Sequence, residues 1–145
     1  MFEKLFLLVK NNAQEAVINN PSIAVNYQEA VMNDASSSII EVLKGQMETG
    51  KFKELVKYFQ FAGIYNNPLI AAAVKKFAVK LENYYGMDSA IALKTSNQLI
   101  PPVMQEMIKQ SKNEPTKEFA LDKLLSKLSG NMANMTLLLT QIKVA

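Results

Sequence analysis

Glu41, Lys44 and Glu48 share one face of a helical segment, and this pair of carboxylates is the nearest the chain comes to an acid–base couple. Acid and base work requires two carboxyls that meet in a cleft with their pKa values pushed apart. Lys44, lying between them, gives instead the alternating charge of a solvated stripe. A lysine nucleophile would have to be buried. Lys75, Lys76 and Lys80 fall beside the apolar stripe of their helix, where the stems can lie on the protein and leave the ammonium groups in water.

Composition removes most other chemistry. The 145 residues include no His, no Cys, no Trp and no Arg. A Ser-His-Asp triad, a thiolate nucleophile and a zinc site of nitrogen and sulfur ligands are therefore out of reach of this chain. The Glu-x-x-His pairs of helical di-iron proteins cannot be built, and Asn33-Asp34 lacks the alternating oxygen ligands of a calcium loop. The five glycines form neither a dinucleotide fingerprint nor a P-loop. The expectation is a protein that is not an enzyme, with no cofactor and no metal.

Binding functions survive this elimination. A helix closing at Gly86 and another opening at Asp88 could form a helix-turn-helix-like unit over residues 68–98, with Ser89, Lys94, Thr95, Asn97 and Gln98 reaching a nucleic-acid groove. Tyr84-Tyr85 beside Lys80 could stack bases. The absence of Arg and a net charge of only +3 weigh against nucleic acid. A lipid or other small apolar ligand held between helices is another class of reading. The preferred one is a protein-interaction or self-association module. Its expected surface is the stripe Met132, Met135, Leu138, Leu139 and Ile142. The eight Met residues otherwise read as core filling.

The elements that must carry these residues are set by apolar spacing. Phe2, Leu5, Phe6, Val9, Ala13, Ala16 and Val17 predict a helix over about 2–18, with an interruption at Asn11-Asn12 and a stop at Asn19-Asn20-Pro21. A second helix is expected over about 27–48, on Val31, Ala35, Ile39, Val42, Leu43 and Met47, ended by Gly50. Within it, Ser36, Ser37 and Ser38 read as surface serines with one buried. A short helix over 51–59 comes next. Pro68 suits a first helical position, and Ile70, Val74, Phe77, Leu81 and Tyr84 make the next stripe, closed by Gly86. Asp88 or Ser89 caps a helix running through Ala90, Leu93 and Gln98 to Pro101-Pro102, which kink or divide it. Val103, Met104, Met107 and Ile108 continue to about Lys112. A last helix over 118–128 ends at Gly130.

These readings predict an all-α fold: a single compact bundle of six to seven helices over residues 1–130, then an apolar, helical C-terminal tail over 131–145. No transmembrane segment is expected, since the longest apolar runs fall far short of the roughly 20 residues that span a bilayer. No secretory core is evident near Leu5–Val9, and a cytoplasmic location is expected. One internal echo stands out, Asn19–Ala24 against Asn66–Ala71, identical at five of six positions.

Asn20-Pro21, Glu29–Met32, Ala35-Ser36, Ser38–Ile40, Tyr85–Asp88, Gln98–Pro101 and Val103-Met104 together resemble the YidB-like bacterial domains of unknown function, in the branch common in Bacteroidetes. The similarity spans about residues 1–130 and rests on helix boundaries and packing positions. It implies an all-helical bacterial cytosolic domain and brings no established activity or site. Asn131–Ala145 is rich in Met and Leu where the family continues with glycine.

Overall fold

The computed structural model describes residues 2–48 and 68–113. Those residues form four α-helices, α1 (Phe2–Asn11), α2 (Gln28–Glu48), α3 (Pro68–Tyr85) and α4 (Ser89–Asn113), with a π-turn at Gln14–Ile18 and a 3-10 turn at Val25–Tyr27. No strand occurs among the described residues, so the class is all-α. No helix in them is long and apolar enough to cross a membrane. The helices expected over 51–59 and 118–128, and the tail over 131–145, lie outside the described residues.

Local chemistry sets the helix ends. The first helix breaks at Asn12, as expected, because the Asn12 amide donates to the Leu8 carbonyl at 2.8 Å and satisfies a group that the helix end leaves open. The chain resumes as a π-turn, in which the Ile18 N–H donates to the Ala13 carbonyl and the Asn19 N–H to that of Gln14. Asn20 stops it. Its amide bonds the Ala16 carbonyl, and its side-chain oxygen accepts the Ser22 N–H across Pro21. Pro68 does open α3, where its missing N–H costs no hydrogen bond. Gly86, at φ 63°, closes it. Asp88 is the cap of α4, its carboxylate accepting the Ala90 N–H at 3.1 Å.

The core lies between these helices. Leu5, Val9, Ala13, Ala16 and Val17 meet Val31, Ala35, Ile39 and Leu43 of α2, and Phe77 and Leu81 of α3 pack against both α2 and α4. Met32, Met87, Met104 and Met107 are all buried, as core-filling thioethers should be. Helix α4 runs unbroken through Pro101 and Pro102. Each proline removes a bond to a carbonyl four residues earlier, and those carbonyls belong to Asn97 and Gln98, two solvent-exposed positions where water can replace the bond.

Three expectations about burial need correction. Ser36 and Ser38 are both fully buried and Ser37 is half-buried, rather than one serine of three. Each hydroxyl is satisfied by bonding back within the helix, Ser36 to the Met32 carbonyl, Ser37 and Ser38 to that of Asp34. Tyr84 is 64% exposed, and Tyr85 is the tyrosine that turns toward the core. In α4, Thr95, expected among the side chains reaching a groove, points inward with Ala92, Ser96, Leu99 and Ile100, while Ala90 and Leu93 face out. Small hydroxyl side chains replace larger apolar ones there because each finds a partner: Ser96 Oγ donates to the Val74 carbonyl of α3 at 2.6 Å.

Gly86 provides a direct test of this connection. A Cβ at this position meets nothing within 4 Å, so the cost of Gly86→Ala is the left-handed backbone alone. Thermal unfolding should show a loss of about 1 kcal/mol for Gly86→Ala and a smaller one for Gly86→Asn, since Asn tolerates that conformation better.

Candidate interaction surface

Helix α3 buries one stripe, Ile70, Ala73, Val74, Phe77 and Leu81, and this leaves a second stripe on its outer side. Positions 72, 75, 76, 79, 80, 83 and 84 repeat at three and four residues, so they share a face. With Val42 of α2 they line a groove of about 440 Å³. Its floor is aliphatic, made by Val42, Ala72 and Val79, the last of these 43% exposed.

The groove is cationic. Lys80 lies along the protein with only 13% of its side chain exposed, donating to Ser37 Oγ at 3.0 Å and to Glu41 Oε1 at 3.1 Å. Lys76 approaches the other oxygen of Glu41 at 3.6 Å, with both side chains 45% exposed. Pairs this exposed add little to stability, but they fix where the ammonium groups stand. Lys75 is exposed on the same face. Three ammonium groups against one carboxylate leave the groove formally positive.

At Tyr84 the groove meets a second cleft, of about 290 Å³, lined by Ser22, Ile23, Ala24, Tyr27, Tyr84 and Tyr85. Tyr85 is the hub of the three tyrosines, its ring centroid 5.9 Å from that of Tyr27 and 6.3 Å from that of Tyr84, within the range of favourable tilted pairs. Its hydroxyl donates to Asp34 Oδ2 at 2.5 Å. Burial pushes the Tyr85 phenol above its ordinary value, and the bond to Asp34 and that carboxylate's charge push in the same direction.

Met132, Met135, Leu138, Leu139 and Ile142, the stripe singled out from sequence, lie outside the described residues. Of the side chains expected to reach a nucleic-acid groove, Ser89, Lys94, Asn97 and Gln98 are exposed, but Thr95 is buried and accepts a bond from the Asn20 amide at 3.0 Å. Lys80 is turned toward α2 and does not share the outer face of α4. Glu41 is exposed, as the surface reading requires, though its partners come from α3. Among the described residues no buried side-chain nitrogen or oxygen lacks a partner, and no cluster of three or more carboxylates is placed to hold a metal. The α2–α3 groove was not anticipated. Its signal was the second three-and-four stripe from Ala72 to Tyr84, which an alternation of Lys with Ala and Val disguises as a solvated face.

No family model matches the sequence, no curated protein matches it, and no solved structure matches the fold.

The Tyr85–Asp34 bond predicts a pH dependence. A phenol whose folded pKa exceeds the unfolded value of about 10 contributes stability that is complete below about pH 10 and is lost as pH rises further. Tyr85→Phe should therefore cost about 1 kcal/mol near neutrality, and the gap to the wild type should close above pH 10. Denaturant unfolding of both proteins between pH 7 and pH 11 measures it.

Proposed function

We propose that this chain is a non-enzymatic helical module of the bacterial cytoplasm, a bundle of six to seven helices that binds another protein or a second copy of itself. The single observation that supports it is the outer face of α3, where Val79 and Tyr84 stay exposed beside the aliphatic floor at Val42 and Ala72 although the helix buries its other apolar stripe, Ile70, Val74, Phe77 and Leu81, in the core. An interaction module needs an apolar surface that its own fold leaves open. The resemblance to YidB-like domains agrees with this reading, since it implies a bacterial cytosolic helical domain without an assigned activity. The tail stripe Met132, Met135, Leu138, Leu139 and Ile142 is the second apolar surface, and self-association runs through it.

Light scattering on the full chain, on Leu138→Ser with Leu139→Ser, and on Val79→Asp tests the self-association. The full chain and Val79→Asp should have the mass of a dimer, and the doubly substituted tail variant that of a monomer which still melts cooperatively, at a temperature that no longer depends on protein concentration. A monomeric full chain, or a tail variant that loses cooperative melting, contradicts association through the tail; the second result would make the tail part of the core.

A further inference from the structure

We infer that the α2–α3 groove is a docking site for an acidic amphipathic helix of a partner protein. The inference rests on the interaction-module reading and specifies its partner. Ala72 and Tyr84 are twelve residues apart on one helix, about 18 Å at 1.5 Å per residue, enough to seat about three turns of a second helix. Such a helix would lay apolar residues spaced at three and four on the floor made by Val42, Ala72 and Val79. Ala72, the smallest of these side chains, permits the closest backbone approach.

Charge selects the occupant. Lys75 and Lys76 stand exposed at the edge of the groove, so carboxylates flanking the apolar stripe of the incoming helix would meet ammonium groups. The chain's own tail does not match, because Asn131–Ala145 contains no Asp or Glu. Nucleic acid matches less well than an acidic helix. Apart from Tyr84 at one end, the groove offers aliphatic groups where successive bases need aromatic faces, whereas the floor at Val42, Ala72 and Val79 suits the apolar stripe of a helix.

The protein lacks Trp, so a probe peptide carrying one Trp reports its own environment against a dark background. The probe is a synthetic peptide of about 18 residues, long enough to form a helix, with Leu spaced at three and four, one Trp on the same face, and Glu elsewhere. It is titrated with the full chain, beside a version with Lys in place of every Glu and a single-stranded oligonucleotide. The acidic peptide should bind with a blue-shifted Trp emission, and more weakly as salt is raised. Val79→Asp, at an exposed position that the fold does not depend on, should weaken it about tenfold or more. Lys75→Glu with Lys76→Glu should also weaken it, and Glu41→Gln should strengthen it about two- to fivefold by removing the competing carboxylate. Leu93→Asp, on the outer face of α4, should change nothing.

Equal binding of the acidic and basic peptides would overturn the inference, as would no binding of the acidic peptide at millimolar protein. Binding of the oligonucleotide alone, lost in the lysine variants, would assign the groove to nucleic acid instead. None of these outcomes bears on association through the tail, which light scattering reads separately.

Discussion

Helix α3 has to satisfy two neighbours at once, and that requirement organises the described part of the molecule. One side of the helix buries Phe77 and Leu81 and receives the Ser96 hydroxyl from α4 on the Val74 carbonyl. An adjacent side reaches α2 through Lys80, whose ammonium is held by Ser37 and Glu41, and through Tyr85, whose hydroxyl is held by Asp34. The polar contacts have a directional effect that the apolar ones lack. A hydrophobic stripe tolerates small rotations, whereas hydrogen bonds from Lys80 and Tyr85 to fixed positions on α2 set the rotation of α3 about its axis. With that rotation set, Ala72, Lys75, Lys76 and Val79 are left facing outward, and the groove is what remains.

Much of this architecture is legible in the residues. Pro68 and Gly86 bracket α3 for reasons of backbone chemistry that hold in any context, and Asp88 caps the helix after it. The long stripes of α1 and α2 announce their burial by period alone. Where the reading fails, the cause is a small polar group that finds a partner only in the folded molecule. Thr95 reads from sequence as one of the side chains reaching outward, yet Asn20 meets it inside, beside Ser96, whose hydroxyl bonds the Val74 carbonyl. The three consecutive serines of α2 are buried or half-buried for a different reason, since each hydroxyl is satisfied by a carbonyl of its own helix. Tyr84 and Tyr85 are neighbours of one type, so period cannot rank them. Asp34, fifty-one residues away, decides which one turns inward.

The Asn-Asn-Pro echo teaches the same lesson from the other direction. At Pro21 the motif forms a turn that ends a helical segment, with Asn20 bonding backward to Ala16 and forward to Ser22. At Pro68 the same dipeptide context opens a helix. Proline restricts its own φ and the residue before it, which marks a boundary but leaves open the side on which the helix lies. The residues after each proline decide the matter: the apolar run Leu69–Val74 propagates a helix, and Ser22–Asn26 does not.

The central claim is that the leftover face of α3, rather than the outer face of α4, is the surface the fold presents to a partner. The cysteine-free sequence allows a clean test of it. An environment-sensitive dye on Asn83→Cys lies in the groove, and the same dye on Leu93→Cys lies on the outer face of α4. When the acidic helical peptide is added to each labelled full-length protein, a saturable change is predicted at position 83 and none at 93. A change confined to position 93, or equal at both, would contradict the claim.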